Sequence, residues 1–361
     1  MSLDKYITLG KSGLRVSPFA LGTMTFGEDL GWGSGVEESN AILAHYIERG
    51  GNFIDTANFY TKSHSEKIIG DHLKASKLRR DGLVLATKFS GSLYPGDPNA
   101  GGSNRKSIIA ALENSLRRLG TDYIDLYWLH NWDWHTPIEE TMRALDDLVR
   151  DGKIRYIGVS DTPAWKIAQA NVLAQFRGWT QFIGLQIEYS LLERTVEQEL
   201  VPMALELGLG ITPWSPLKSG LLSGKYTRKN AGQIKADRGM FLDGHLNEST
   251  YVLVDELEAV AKAHDTTVAR VALAWVQAKP GVTSTIIGAR RIAQLEDNLK
   301  ALDLVLAPAE IDKLDALTKP TFGFPQSMEP VFPSIHHGGA SVNGTYADPS
   351  PFVIGMGDEP Y

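Results

Sequence analysis

Four side chains that can move or bind protons stand at or just after the ends of short apolar runs: Asp55, Tyr60, Lys88 and His130. A tyrosine at its ordinary pKa of ~10 is a poor proton donor near neutrality, and the alkoxide formed when a carbonyl is reduced needs a donor. A neighbouring ammonium favours phenolate, so Lys88 is expected to lower the pKa of Tyr60, and Asp55 would keep that ammonium charged. His130 would bond to the carbonyl oxygen. The four residues predict acid–base chemistry on a carbonyl or an alcohol.

Each of these residues also has a structural interpretation. Asp55 could cap a turn, Lys88 could be a surface charge, and His130 could be a hydrogen-bonded histidine at a rim. For any one residue the structural interpretation is the better one, but four such residues at successive strand ends favour the chemical interpretation.

The elements that must position these residues alternate along the chain. Apolar runs predict eight strands, at 18–22, 52–55, 83–88, 123–130, 154–160, 182–188, 209–214 and 282–288. Amphipathic patterns predict helices at about 37–50, 64–76, 105–119, 138–151, 163–176, 195–207, 250–264, 267–279 and 291–300. Ser63 and Ser103 precede two of the helices as expected N-caps.

Strands alternating with helices predict a parallel sheet, and eight such units close into a (β/α)8 TIM barrel. The alternative is an open, doubly wound sheet with an appended domain. Active sites of these barrels lie at the C-terminal ends of the strands. Asp55, Lys88 and His130 fall at or just past such ends, as do Ser160, Gln186 and Trp214.

Other segments extend the predicted barrel, which spans residues 1–318. Two short β-type runs around Lys11-Ser12-Gly13 predict an N-terminal β-hairpin. Long loops follow the third and seventh strands, at 90–104 and 215–249. A C-terminal extension at 319–361 is rich in Pro and Gly yet contains several aromatics, so we expect it to pack on the barrel or to be partly mobile.

The bulk composition narrows the classes of partner. The net charge is −7 without a basic cluster, which argues against nucleic acid or an anionic membrane. With no cysteine, thiolate chemistry and Cys-ligated metals are excluded. No secretory signal and no apolar run near the ~20 residues of a membrane span is visible, so a cytoplasmic location is expected.

We expect no metal, because His336-His337 has no partner acid at helical spacing. No P-loop and no Rossmann fingerprint occurs.

At three strands the chain resembles the aldo-keto reductases, a family of NADPH-dependent (β/α)8 barrels. The motifs are Phe53-Ile54-Asp55-Thr56-Ala57-x-x-Tyr60, Ala86-Thr87-Lys88, and Asp122-Tyr123-Ile124-Asp125-Leu126-Tyr127-x-x-His130. The resemblance covers roughly residues 5–318. It implies that Tyr60 is the general acid/base, that Lys88 and Asp55 tune it, and that His130 orients the substrate carbonyl.

The resemblance also implies where NADPH or NADP⁺ would bind. The implied positions are Thr23, Met24, Asp55, Ser160, Asp161, Gln186, Trp214, Ser215, Pro216, Leu217, Gly220, Lys225, Arg238, Gly288, Arg290, Gln294, Asp297 and Asn298. Ser160 and Gln186 would bond the nicotinamide carboxamide, and Trp214 would stack on the ring. Lys225 and the loop from Ser215 to Gly220 would meet the pyrophosphate. The adenosine site would be formed by Gly288, Arg290, Gln294, Asp297 and Asn298. Many family members have asparagine where this chain has Asp161, and a carboxylate cannot donate to the carboxamide oxygen. Arg290 at the start of a helix would favour a 2′-phosphate, hence NADPH over NADH.

Substrate contacts are expected from apolar and aromatic side chains in the loops after the strands. With Tyr60 and His130, they are Met24, Phe26, Trp32, Phe59, Tyr94, Trp132 and Trp134. A site entrance lined by these side chains suits hydrophobic aldehydes or ketones. The expected function is reversible reduction of a small carbonyl substrate to an alcohol. Two alternatives stay open: a Schiff-base lyase using Lys88, and a non-catalytic regulatory subunit, since the family resembles the potassium-channel β subunits as well.

Overall fold

The computed structural model describes residues 2–76, 78–230, 244–355 and 357–360. The chain divides into two compact units, residues 1–318 and 319–361. The predicted packing of the extension on the barrel stays a prediction.

The first unit is built on one sheet of eight parallel strands. They are β3 (Phe19–Gly22), β4 (Phe53–Asp55), β5 (Val84–Phe89), β6 (Ile124–Leu129), β7 (Ile154–Ser160), β8 (Phe182–Glu188), β9 (Gly210–Trp214) and β10 (Thr285–Gly288). Each strand from β3 to β8 pairs with the next one in the chain, and β10 pairs with β3. A parallel bridge between Ile211 and Val282 closes the ring between β9 and β10. The predicted (β/α)8 barrel is confirmed.

Helices surround this sheet and alternate with its strands. They are α1 (Val36–Glu48), α2 (His64–Ala75), α3 (Arg105–Leu119), α4 (Ile138–Arg150), α5 (Ala164–Arg177), α6 (Leu200–Leu207), α7 (Glu248–Ala263), α8 (Val268–Gln277), α9 (Ile292–Leu299) and α10 (Pro308–Leu317). The sequence analysis missed α10, which begins with proline at its first position and with Glu310 accepting from the backbone N–H of Ala307.

One of the two predicted serine caps was wrong, and the other occupies the N-cap position without a side-chain capping bond. Asn104, not Ser103, caps α3, because its side chain accepts from the backbone N–H of Ser107. Ser63 precedes α2, but it lies in the left-handed region at φ 76° and its hydroxyl donates to the carbonyl of Asn58.

The barrel has an inner and an outer apolar core. The inner core contains Trp128, which is fully buried. A Cβ on Gly158 would lie 2.3 Å from the Trp128 ring, so this strand position accepts only glycine. The outer core packs the helices against the sheet.

The predicted hairpin is confirmed as β1 (Ile7–Thr8) and β2 (Arg15–Val16). Leu9 of its turn contributes to the inner core, and the Lys11 N–H donates to the Gly208 carbonyl just before β9. The hairpin therefore lies at the N-terminal end of the barrel and leaves the C-terminal end of the strands to the predicted site.

The second unit is small. It contains α11 (Phe332–His336) and an antiparallel pair of two-residue strands, β11 (Ser341–Val342) and β12 (Thr345–Tyr346). Across both units, no helix among the described residues has the length and apolar character needed to cross a bilayer.

Candidate active site

Three of the predicted residues meet at the C-terminal ends of β4 and β5. Asp55 is the last residue of β4, and Lys88 points into the barrel from β5; both are buried. The Lys88 ammonium donates to the Asp55 carboxylate, to the Thr56 carbonyl at 2.9 Å and to the Tyr60 hydroxyl at 3.0 Å. The ammonium therefore uses all three of its protons and holds the phenol oxygen at a fixed point.

Charge in this cluster is set by burial as well as by pairing. Burial alone would lower the pKa of Lys88, but the Asp55 carboxylate and the Tyr60 oxygen outweigh it and raise that pKa above its ordinary value. Burial also raises the pKa of the Tyr60 phenol, and the neighbouring Lys88 ammonium opposes this shift without overcoming it. The expectation of a lowered Tyr60 pKa was therefore wrong. At neutral pH both groups keep their protons, and the phenol is a donor.

His130 follows β6 and contributes a neutral imidazole. Its ring stacks on Phe59 at a centroid distance of 5.0 Å and meets the Tyr60 ring edge-on at 5.7 Å. Burial, aided by the charge of Lys88, lowers the pKa of His130 to about 2. Its Nδ1 is buried and has no hydrogen-bond partner among the described residues. The ring is thus a hydrogen-bonding group beside the phenol and not a source of imidazolium.

Two residues that were predicted to bind the cofactor form hydrogen bonds to Asp55. The Gln186 amide donates across the barrel from β8 to the second Asp55 carboxylate oxygen at 3.0 Å. The Thr23 hydroxyl donates to the Asp55 backbone carbonyl at 3.0 Å and accepts from Ser65. Both residues position Asp55, a role that the sequence did not indicate because it depends on contacts between distant strands.

The ends of β7 and β9 carry polar groups with fewer partners inside the chain. The Ser160 hydroxyl is buried and makes no well-formed hydrogen bond with a described residue, although it lies close enough to the Asp161 carboxylate to oppose the rise of that group's pKa. The Trp214 indole N–H donates to the Asp161 carboxylate at 3.0 Å. Asp161 is exposed as a whole residue, yet burial of its carboxyl group raises its pKa to about 6, against the opposing Trp214 bond. The bond fixes the orientation of the Trp214 ring.

The segment predicted to meet a pyrophosphate is a compact loop. Ser215, Lys218 and Ser219 all have positive φ, and the Ser219 N–H donates to the Ser215 hydroxyl. Pro216 is buried, Leu217 and Gly220 are half-buried, and Lys225 is exposed. Lys218 of the same loop is buried and donates to Glu188 at 2.8 Å. Arg238 lies outside the described residues.

The residues predicted for the adenosine end gather at the end of β10 and on α9. Gly288 is exposed, Arg290 is half-buried, and the Gln294 side chain accepts from the Arg290 backbone N–H. Asn298 donates to the Gly288 carbonyl at 3.3 Å. Asp297, in contrast, is paired with Arg270 of α8, so its carboxylate is engaged within the protein.

The predicted substrate residues divide into buried and exposed ones. Phe26 has no exposed surface and belongs to the outer core, so its prediction as a substrate contact is wrong. Met24 and Trp32 are half-buried, whereas Phe59 is 37% and Tyr94 is 59% exposed.

An aromatic cluster stands in the loop after His130. Trp132 stacks on Trp134 at 4.4 Å, and Trp134 is 75% exposed. Trp165 of α5, which sequence reasoning missed, meets Trp132 edge-on, and the Lys166 ammonium lies over the rings of Trp132 and Trp165. The described residues contain no group of three His, Cys, Asp or Glu side chains that could hold a metal ion.

Comparison with known proteins identifies one family. The family model described as "Aldo/keto reductase family" matches residues 18–319. A putative aryl-alcohol dehydrogenase of Saccharomyces cerevisiae is 35% identical, over 88% of this chain and 87% of its own. A norsolorinic acid reductase of Aspergillus flavus is 36% identical, over 89% of this chain and 83% of its own. A probable voltage-gated potassium channel subunit beta of Oryza sativa is 37% identical, over 87% and 97%.

Proposed function

Since the chain belongs to the aldo/keto reductase family, we propose that it is an NADPH-dependent oxidoreductase that reduces aldehyde and ketone carbonyls to alcohols. One observation carries the proposal: the Lys88 ammonium, paired with Asp55, lies 3.0 Å from the Tyr60 hydroxyl. This arrangement has a defined chemical use, whereas a barrel without an active site has no reason to bury a charged lysine beside a phenol.

The side chains of this protein carry out the proton transfer of the reaction. Tyr60 is protonated at neutral pH, so its hydroxyl donates to the carbonyl oxygen as negative charge develops there. The Lys88 ammonium stabilises the phenolate that remains. A neutral His130 hydrogen-bonds the same oxygen and fixes its approach. In the reverse direction, Tyr60 phenolate would accept the proton of an alcohol.

When bound, NADPH would supply the hydride to the carbonyl carbon. The residues at the ends of β7 to β10 fit such a group, because the buried Ser160 hydroxyl has no partner within the described chain and can bond to a polar ligand. Trp214 would offer a ring face, and the loop from Ser215 to Gly220 would meet the phosphates. Arg290 would pair with a 2′-phosphate.

We propose hydrophobic, aromatic carbonyl compounds as substrates. The Trp132–Trp134 pair and the exposed Phe59 offer flat apolar surface in loops that follow the catalytic strands. The names of two relatives, an aryl-alcohol dehydrogenase and a norsolorinic acid reductase, are consistent with such substrates. A cytoplasmic location remains part of the proposal.

A regulatory subunit is the second candidate, because relatives from rice and Arabidopsis thaliana are named potassium channel β subunits. The presence of Tyr60, Lys88, Asp55 and His130 together favours an enzyme. The Schiff-base lyase is disfavoured, since the Lys88 pKa is raised and a protonated amine cannot attack a carbonyl.

A steady-state assay separates these functions. NADPH oxidation would be followed with a panel of aromatic and aliphatic aldehydes, ketones and quinones. The proposal expects turnover with aromatic aldehydes. Tight NADPH binding without turnover of any substrate would favour the regulatory subunit, and borohydride trapping of substrate on Lys88 without NADPH would favour the lyase.

A further inference from the structure

The backbone immediately after Tyr60 is strained. Thr61, Lys62 and Ser63 have φ of 46°, 56° and 76°, so three successive residues other than glycine adopt the left-handed conformation. L-residues pay an energetic cost there, and for a β-branched threonine the conformation is a genuine outlier. Such strain persists only where surrounding contacts impose it, and it concentrates at functional sites.

The contacts that impose this turn centre on the Thr61 side chain. Thr61 is buried, and its hydroxyl donates to the Phe26 carbonyl at 2.6 Å while accepting from the Ser65 N–H at 3.1 Å. One hydroxyl therefore ties the segment after Tyr60 to the β3–α1 loop on one side and to the first turn of α2 on the other. Gly27 lies close by: a Cβ there would be 3.2 Å from the Thr61 hydroxyl.

The segment before Tyr60 is held independently. The Asn58 N–H donates to the Lys88 carbonyl at 3.1 Å, which fixes this part of the chain along β5. Tyr60 thus has one anchored flank, at Asn58, and one strained flank, at Thr61. The direction in which the phenol points depends on both.

We propose that Thr61 is a positioning residue that acts through Tyr60: its hydroxyl holds the left-handed turn and thereby keeps the phenol oxygen against Lys88. The inference rests on the proposed function. Glycine would adopt these angles without strain, but it would offer no hydroxyl to join the two loops. A displacement of about 1 Å at a reacting group can lower a rate by about a hundredfold, so a loosened turn should lower kcat.

Three substitutions of Thr61 separate the hydroxyl from the rest of the side chain. Thr61→Ser keeps the hydroxyl, Thr61→Val keeps the shape without it, and Thr61→Gly removes the side chain while tolerating the backbone. Thr141→Val is the matched control, because Thr141 is a buried threonine of α4 whose hydroxyl donates to the Ser103 carbonyl. Melting temperature, NADPH affinity by fluorescence, and kcat and KM are measured for each.

We expect kcat to fall about tenfold to a hundredfold in Thr61→Val and Thr61→Gly, with KM and NADPH affinity changing less than about threefold. Thr61→Ser and Thr141→Val should keep kcat within about threefold of the wild type. If Thr61→Val fails to fold, Thr61→Gly decides alone. A folded Thr61→Val or Thr61→Gly with wild-type kcat overturns the inference, as does a Thr61→Ser variant that loses as much as Thr61→Val. A wild-type protein without NADPH-dependent carbonyl reduction would instead overturn the proposed function.

Discussion

The two sides of the barrel mouth are built differently. On the β4–β6 side (Asp55, Tyr60, Lys88 and His130), the charged groups are buried and the ammonium has all its partners within the chain. On the β7–β10 side (Ser160, Asp161, Trp214 and Arg290), a buried hydroxyl lacks a partner within the described residues, and the Asp161 carboxyl group is uncharged below a pKa of about 6. The polar groups of the first side have their contacts within the chain, whereas the second side includes a buried hydroxyl that the cofactor would complete if it binds as proposed.

Substitutions on the two sides should therefore change different properties of the protein. Substitutions on the β4–β6 side remove internal contacts, so they should change both stability and turnover. If the cofactor binds as proposed, substitutions on the β7–β10 side remove contacts to it, so they should change cofactor affinity more than stability. Gln186 joins the two sides, because it lies on β8 and donates to Asp55 on β4.

The largest effect is expected for Lys88→Met. This change leaves the Asp55 carboxylate buried without its partner, which should lower the free energy of unfolding by about 3–5 kcal/mol. Carbonyl reduction should fall by at least about a thousandfold, because the phenol loses both its orientation and the stabilisation of its phenolate. Urea unfolding and steady-state kinetics measure the two effects. Unchanged stability would show that the two sides do not differ in the way described.

A smaller and more selective effect is expected for Arg290→Ala. NADPH affinity should fall about tenfold to a hundredfold through the lost pairing with the 2′-phosphate, while NADH affinity changes less than about threefold. Fluorescence titration with both nucleotides measures this, and urea unfolding should show a smaller loss of stability than in Lys88→Met. Arg291→Ala is the control, since Arg291 is exposed and next in the chain. Equal losses for NADPH and NADH would remove Arg290 from the 2′-phosphate site.

The smallest effect concerns Asp161 and depends on pH. Its pKa is raised to about 6, so the group is ionised at pH 8 and largely protonated at pH 5. If the cofactor binds as proposed, an ionised Asp161 carboxylate beside the nicotinamide should favour the cationic NADP⁺ over NADPH by roughly threefold to tenfold. This preference should be present at pH 8 and fade as pH falls through about 6. In Asp161→Asn, the affinity ratio of the two nucleotides should lack this component. The same ratio in wild type and variant at pH 8 would contradict it.

Much of the fold followed from the sequence because each barrel strand is a short apolar run that ends in a distinctive residue. Asp55, Lys88 and His130 mark three of those ends, and the rule that barrel sites form at C-terminal strand ends brings them together. The match to the aldo/keto reductase family confirms the recognised resemblance.

What the sequence could not give depends on contacts between distant segments. The bond from Gln186 to Asp55 crosses the barrel, and the left-handed turn at Thr61 is held by a carbonyl of another loop. No glycine marks that turn, so its local sequence carries no signal of positive φ. The direction of the Tyr60 pKa shift was also misjudged, because it is set by how deeply the finished fold buries the phenol.

The most direct measurement is single-turnover reduction of an aromatic aldehyde by Tyr60→Phe at saturating NADPH. Tyr6→Phe is the control, because the Tyr6 side chain is 46% exposed and its hydroxyl donates only to the Gly50 carbonyl. We predict a loss of at least about a thousandfold for Tyr60→Phe, NADPH affinity within about threefold of the wild type, and no loss for Tyr6→Phe. Near-normal reduction by Tyr60→Phe would show that the phenol beside Lys88 is not the proton donor and would contradict the account.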